Sequence, residues 1–151
     1  MGIKILKFEN LIAWQKGQDL AVAVYEAFKH SKDYGFNDQI QRAAVSISNN
    51  IAEGFDRGSS KEFIRFLNIA ISSCNEVKSM LYLSSRLKHL SEDQSKQLIL
   101  KSEEVSRIIR GLIKSIYAKL KWMKANKQSL TTYHLPLITH RMIIFETQNK
   151  L

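Results

Sequence analysis

Apolar residues recur at helical spacing along most of this chain, in four runs separated by short polar breaks. The first run, about 11–30, sets Leu11, Trp14, Ala21, Val24, Tyr25 and Phe28 on one side, with Asn10 placed to cap its start. "SKDYGF" interrupts it. The second, about 38–55, aligns Ile40, Ala43, Ala44, Ile47, Ile51 and Gly54, and its alanines predict a close helix–helix approach. Gly54 and Gly58 are both usable as C-caps. The third starts at Ser59, which has capping-box spacing to Glu62 just before Phe63, Phe66, Leu67, Ala70, Ser73, Cys74, Val77 and Leu81, and it ends near His89. The fourth follows Ser91 and its partner Gln94 and runs to about Ala125. It carries Leu98, Val105, Ile109, Leu112, Ile116, Leu120 and Met123 on one side. At 1.5 Å per residue it is on the order of 45–50 Å long.

The most polar stretch inside this pattern, "SNNIAEGFDRGSSKEF", therefore reads as one helix stopping and another starting. All four runs are joined by short connections, so chain neighbours should be antiparallel. The predicted fold is all-α: an antiparallel up-down-up-down four-helix bundle over residues 8–125, followed by an irregular C-terminal tail, 126–151. The tail holds the only Pro and a short apolar patch from Met142 to Phe145.

Composition agrees. A chain of 151 residues fits one domain, and six Gly with one Pro leave few breaks for a turn-rich β fold. A single cysteine, Cys74, excludes an internal disulfide and fits a reducing cytoplasm. "MGIKILKFEN" has no secretory apolar region, and no stretch approaches the roughly 18 apolar residues of a membrane span, so a cytoplasmic location away from the membrane is expected.

Charge changes the picture because it is concentrated. Residues 96–127 carry seven Lys, two Arg and two Glu, a net +7 of the +9 on the whole chain. Within them Arg107, Arg110, Lys114, Tyr117, Lys121 and Lys124 are spaced alternately three and four apart. On a helix these occupy an arc of roughly 100°, opposite Val105, Ile109, Leu112, Ile116 and Met123. A row of cations with one aromatic on a rigid rod suits a phosphate backbone, with Tyr117 able to stack on an unpaired base. Solvated helix faces also carry lysines, but they often interleave acids four residues away. Here Glu103 and Glu104 precede the row and none falls within it.

The other polar residues suggest structure. Asn50 lies beside the apolar stripe of the second helix, where its amide could fix register. Glu53 and Arg57 are four apart, and Arg42 and Arg65 are placed to reach an acid on an adjacent helix. Arg42, Asn50, Glu53 and Arg57 are read as structural or subunit contacts. No second acid, activated nucleophile or metal-ligand spacing accompanies Glu53, so no catalytic residue is assigned. His30, His89, His134 and His140 are dispersed, and no phosphate-loop pattern occurs. Neither a metal nor a cofactor is expected. Val45, Ala52, Phe55, Ile71 and Leu83 lie off the main stripes, which fits either a wide core-facing arc or contact with another subunit.

The segment "QIQRAAVSISNNIAEGFDRGSSKEFIRFLNIAISSCNEV" resembles the four-helix-bundle proteins encoded in intervening sequences of bacterial 23S rRNA genes. The residues that carry the likeness are Gln39, Arg42-Ala43-Ala44, Ser46-Ile47, Asn50-Ile51-Ala52-Glu53-Gly54, Arg57, Glu62-Phe63, Phe66-Leu67, Ile69-Ala70, Ser73 and Glu76. "FENLIAWQKGQDLAVAVY" is similar to that family's opening, and the likeness covers about residues 8–122. It implies an antiparallel bundle and a ring-shaped homopentamer. It also links the chain to the accessory protein of diversity-generating retroelements, a basic pentameric bundle that binds nucleic acid and a reverse transcriptase. It supplies no activity. Ile71, Ser72 and Lys78 depart from the family pattern.

Together these readings predict a non-enzymatic, oligomeric four-helix bundle that binds RNA or DNA non-specifically through the basic face of its fourth helix. The alternative is a scaffold or accessory subunit that docks an acidic protein partner.

Overall fold

A computed structural model describes residues 7–126. It contains a 3-10 turn, Phe8–Asn10, and four helices: α1 (Ile12–Phe28), α2 (Tyr34–Asp56), α3 (Ser60–Arg86) and α4 (Glu92–Ala125). Of the tail expected over 126–151, Asn126 is the C-cap of α4 and the rest lies outside the described residues.

Each helix packs on its chain neighbours, and α1 closes against α4. Cross-helix pairs run in opposite order along adjacent helices. Gln39 meets Glu76 at 3.4 Å, Ser46 meets Ser73 at 3.0 Å, and Gly54 packs on Phe66, so α2 and α3 are antiparallel. Phe28 stacks near Phe36, while Gln18 donates to Ser48 Oγ at 2.8 Å, which sets α1 against α2 in the same sense. The α1–α2 and α3–α4 turns lie at one end of the bundle, tied by His89 Nε2 and Asp33 Oδ2 at 3.1 Å. The core is mainly apolar, with Leu11, Phe28, Ile40, Ile47, Phe55, Phe63, Leu81 and Ile109 among its fully buried side chains, and it also buries polar residues such as Ser48, Ser84 and Ser102.

The local chemistry explains where the boundaries fall. α1 is capped at Leu11 rather than Asn10, which lies in the 3-10 turn; Gln15 Nε2 instead bonds the Glu9 carbonyl at 2.9 Å. α2 begins at Tyr34, four residues before the expected start. The Asp33 carboxylate accepts the Phe36 amide at 3.1 Å, so the aspartate in "SKDYGF" is a cap rather than part of a break. Gly54 lies inside α2, and Gly58, with φ +68°, takes the left-handed conformation that ends it. Ser59 is the N-cap of α3 but its hydroxyl makes no capping bond, and Glu62 bonds Arg65 instead. Ser91 and Gln94 do form a complete capping box on α4.

Several side chains fall elsewhere than their spacing suggested. Tyr25 is exposed, although it falls on the apolar side of α1. Phe55 and Ile71, read as surplus, are core residues, because α2 and α3 each bury a wide arc between two neighbours. Val45 and Ala52 are half-buried and Leu83 is exposed.

Candidate nucleic-acid interface

α4 is 34 residues long, about twice α1 at 17, and about 50 Å from end to end. Nothing in its sequence breaks it: Gly111 meets no side chain on the side a Cβ would occupy, and no Pro occurs before residue 136. Ser102, Val105, Ser106, Ile109, Leu112 and Ile116 are buried against the bundle. That arc turns Arg107, Arg110, Lys114, Tyr117, Lys121 and Lys124 outward, and all six are exposed. Successive members of the row rise by about 4.5 or 6 Å along the axis.

The counter-charges are spent elsewhere. Glu103 receives Lys78 Nζ of α3 at 2.5 Å, and Glu104 lies 3.8 Å from Lys16 Nζ of α1. The hydrogen bond to Glu103 raises the ammonium pKa of Lys78 above its ordinary value. Among the described residues, none of Arg107, Arg110, Lys114, Lys121 and Lys124 joins an ion pair. The macrodipole of α4 adds partial negative charge at the C-terminal end, which makes a cationic last turn locally favourable. That effect fades within one turn and does not account for a row reaching back to Arg107.

Two features escaped the sequence. Trp122 is 60% exposed, slightly more than Tyr117 at 57%, and stands on α4 beside the row rather than on it. A groove of about 330 Å³ also opens between α3 and α4. Asn75 and Lys78 line it from α3, and Glu103, Ser106, Arg107 and Arg110 from α4. Cys74 and Ser102 form its floor, where the Ser102 hydroxyl donates to the Cys74 carbonyl at 3.0 Å. Burial pushes the Cys74 thiol up from 9.0 to about 12 against the opposing pull of Arg110, so the floor is neutral.

The polar residues of α2 and the start of α3 make contacts within these two helices. Asn50 donates to the carbonyl and hydroxyl of Ser46 on its own helix, and the Ser46 hydroxyl bridges to Ser73 of α3. The amide thus acts on the α2–α3 seam through a serine rather than directly. Glu53 pairs with Arg57, as its spacing implied. Arg42 pairs with Asp38 at 3.6 Å and Arg65 with Glu62 at 3.1 Å, each within its own helix instead of across to another. The Arg57 and Arg65 guanidiniums stand over the Phe66 ring, 5.2 and 4.7 Å from its centroid. No group of three or more His, Cys, Asp or Glu side chains is placed to hold a metal ion among the described residues, and none of the helices described is long and apolar enough to cross a membrane.

Among solved structures, a protein of unknown function from the S23 ribosomal protein family of Bacteroides thetaiotaomicron VPI-5482 is similar, at 28% identity and a TM-score of 0.64. The likeness covers 68% of this chain and 99% of that one. No curated protein matches the sequence. The model of the 23S rRNA-intervening sequence protein family matches residues 9–111, so Arg107 and Arg110 lie inside the match and Lys114, Tyr117, Lys121 and Lys124 beyond it. Because that match takes in the first three helices and most of the fourth, this chain belongs to the 23S rRNA-intervening sequence protein family.

Proposed function

We propose that the protein is a binding module, without catalysis of its own, that takes up RNA or DNA through the basic face of α4. One observation carries this reading: five exposed cations stand in a row free of ion pairs, while the two neighbouring acids of α4 are engaged by lysines of α1 and α3. Arg107, Arg110, Lys114, Lys121 and Lys124 supply phosphate contacts, and Tyr117 supplies an aromatic surface between them. Contacts of this kind are independent of base sequence and strongly salt-dependent. Five neutralised phosphates on a single strand correspond to a slope of about −3.5 in log affinity against log salt.

The test is the triple variant Lys114→Glu, Lys121→Glu, Lys124→Glu. All three positions are exposed, so helicity should be unchanged. Binding of a fluorescent oligonucleotide at low salt should be lost. Undiminished binding would overturn the reading, and co-purification of an acidic protein after nuclease treatment would favour a scaffold docking that partner through the same cations.

Self-association is part of the proposal. Ile69 and Leu83 are exposed on α3 and Leu87 at its C-cap, on one side of the helix that also carries Glu76, and these apolar side chains suit contact with a second copy. Light scattering on Ile69→Glu, Leu83→Glu should then give a smaller assembly than the wild type; an unchanged mass removes this line from the interface.

A further inference from the structure

The α3–α4 groove is not uniformly basic, and its charge order is informative. At one end the Glu103 carboxylate stands with Lys78, and at the other are Arg107 and Arg110. A bare phosphate filling the groove would meet that carboxylate, whose Oε1 alone is engaged by Lys78. A nucleotide is different, since it carries an anion at one end and a base edge at the other. Its volume also suits a groove of about 330 Å³, near the lower limit of roughly 300 Å³ for pockets that hold small ligands.

Resting on the reading of α4 as a nucleic-acid face, we propose that this groove seats one unpaired nucleotide of a single-stranded nucleic acid. The phosphate lies at Arg107 and Arg110, and the base edge at Asn75 and Glu103. Two observations converge. The groove's neutral floor, Cys74 and Ser102, sits beneath its two charged ends. Arg107 and Arg110 are at once the last residues of the groove and the first of the outward row. A strand leaving the groove therefore meets Lys114 one turn on and Tyr117 two turns on, without changing direction. A base held in a duplex offers its Watson–Crick edge to its partner and cannot enter, so the groove discriminates against duplex by geometry.

The carboxylate further selects the base. Cytosine presents an exocyclic amine that donates to a carboxylate, whereas the corresponding edge of thymine or uracil presents a carbonyl oxygen there. The Asn75 amide both donates and accepts, and it serves the neighbouring edge atoms. A good pairing of this kind discriminates by roughly five- to 150-fold.

The experiment uses the full chain and three labelled probes of equal phosphate number at low salt: oligodeoxycytidylate, oligothymidylate and a hairpin duplex. Fluorescence anisotropy should rank oligodeoxycytidylate at least about fivefold tighter than oligothymidylate, with the hairpin weakest. Asn75→Trp fills the groove from an exposed position and should bring oligodeoxycytidylate down to the level of the hairpin while leaving the hairpin unchanged. Glu103→Gln is isosteric and should equalise the two single strands. If the wild type binds hairpin and single strands alike, or Asn75→Trp keeps the wild-type ranking, the groove assignment falls while binding along α4 stands. If no probe binds at low salt, both fall.

Discussion

Gly54 of α2 packs directly against Phe66 of α3: a Cβ on the glycine would stand 2.5 Å from the Phe66 Cβ and 3.1 Å from Phe63 Cδ2. The obstacle is the root of a side chain on a neighbouring helix, close to its backbone, so it cannot swing aside. Gly54→Ala should therefore separate the ends of α2 and α3 and destabilise the protein by about 1–3 kcal/mol, despite the better helix propensity of alanine. Urea denaturation measures it. A neutral or stabilised variant would show that the two helices slide apart at little cost.

Two serines placed alike in sequence should behave differently. Ser91 accepts the Gln94 amide at 3.2 Å and its own amide donates to the Gln94 side chain at 3.1 Å. The Ser59 hydroxyl makes no such bond. Ser91→Ala should cost about 1 kcal/mol and Ser59→Ala only a few tenths. Equal losses in thermal denaturation would contradict the distinction.

The bundle was legible in the sequence because four helices each keep one apolar stripe over several turns, and that periodicity depends on nothing distant. The row Arg107–Lys124 was legible for the same reason, as a property of one helix. What was not legible depends on a neighbour. Phe55 and Ile71 looked surplus because an apolar residue off the main stripe is core only if a second helix covers it. The groove needs Asn75 and Lys78 to meet Glu103 and Arg107 across the α3–α4 seam, and one chain read alone does not fix that register. The pairing of Glu104 with Lys16 joins the first helix to the last. The late placement of the α2 start came from Gly35 beside Tyr34, which masked the cap offered by Asp33.

Cys74 should make the protein lose stability in alkali. Its folded thiol titrates near 12 against an ordinary 9.0, and burial is the cause. Above pH 9 the unfolded chain loses this proton while the native state keeps it, so unfolding releases a proton and stability falls as pH rises toward 12. Below 9 both states hold the proton and the effect vanishes. The slope should approach about −1.4 kcal/mol per pH unit by about pH 10, giving a loss of roughly 2 kcal/mol by about pH 10.5. Cys74→Ala should lack this component when unfolding free energies are compared across pH. Parallel profiles for the two proteins would mean that the thiolate is tolerated where it lies. The same burial should keep Cys74 unreactive toward a thiol reagent until the bundle opens.

Glu104 offers a test that works by gain rather than loss. Its contact with Lys16 is long, 3.8 Å, and both side chains are nearly half exposed, at 45% and 43%. Pairs of that kind contribute about 0–1 kcal/mol, so Glu104→Gln should leave the melting temperature almost where it was. Electrostatically the change is larger, because it removes one of the two acids of the basic half of α4 and frees the charge of Lys16. If α4 meets phosphates, affinity for a single strand at low salt should rise several-fold, and the gain should shrink as salt screens it over a Debye length of about 8–10 Å. The wild type and variant should converge at high salt. A variant that binds no more tightly at any salt would show that the field around this end of the row does not govern binding, and the contacts would then have to lie elsewhere on the bundle.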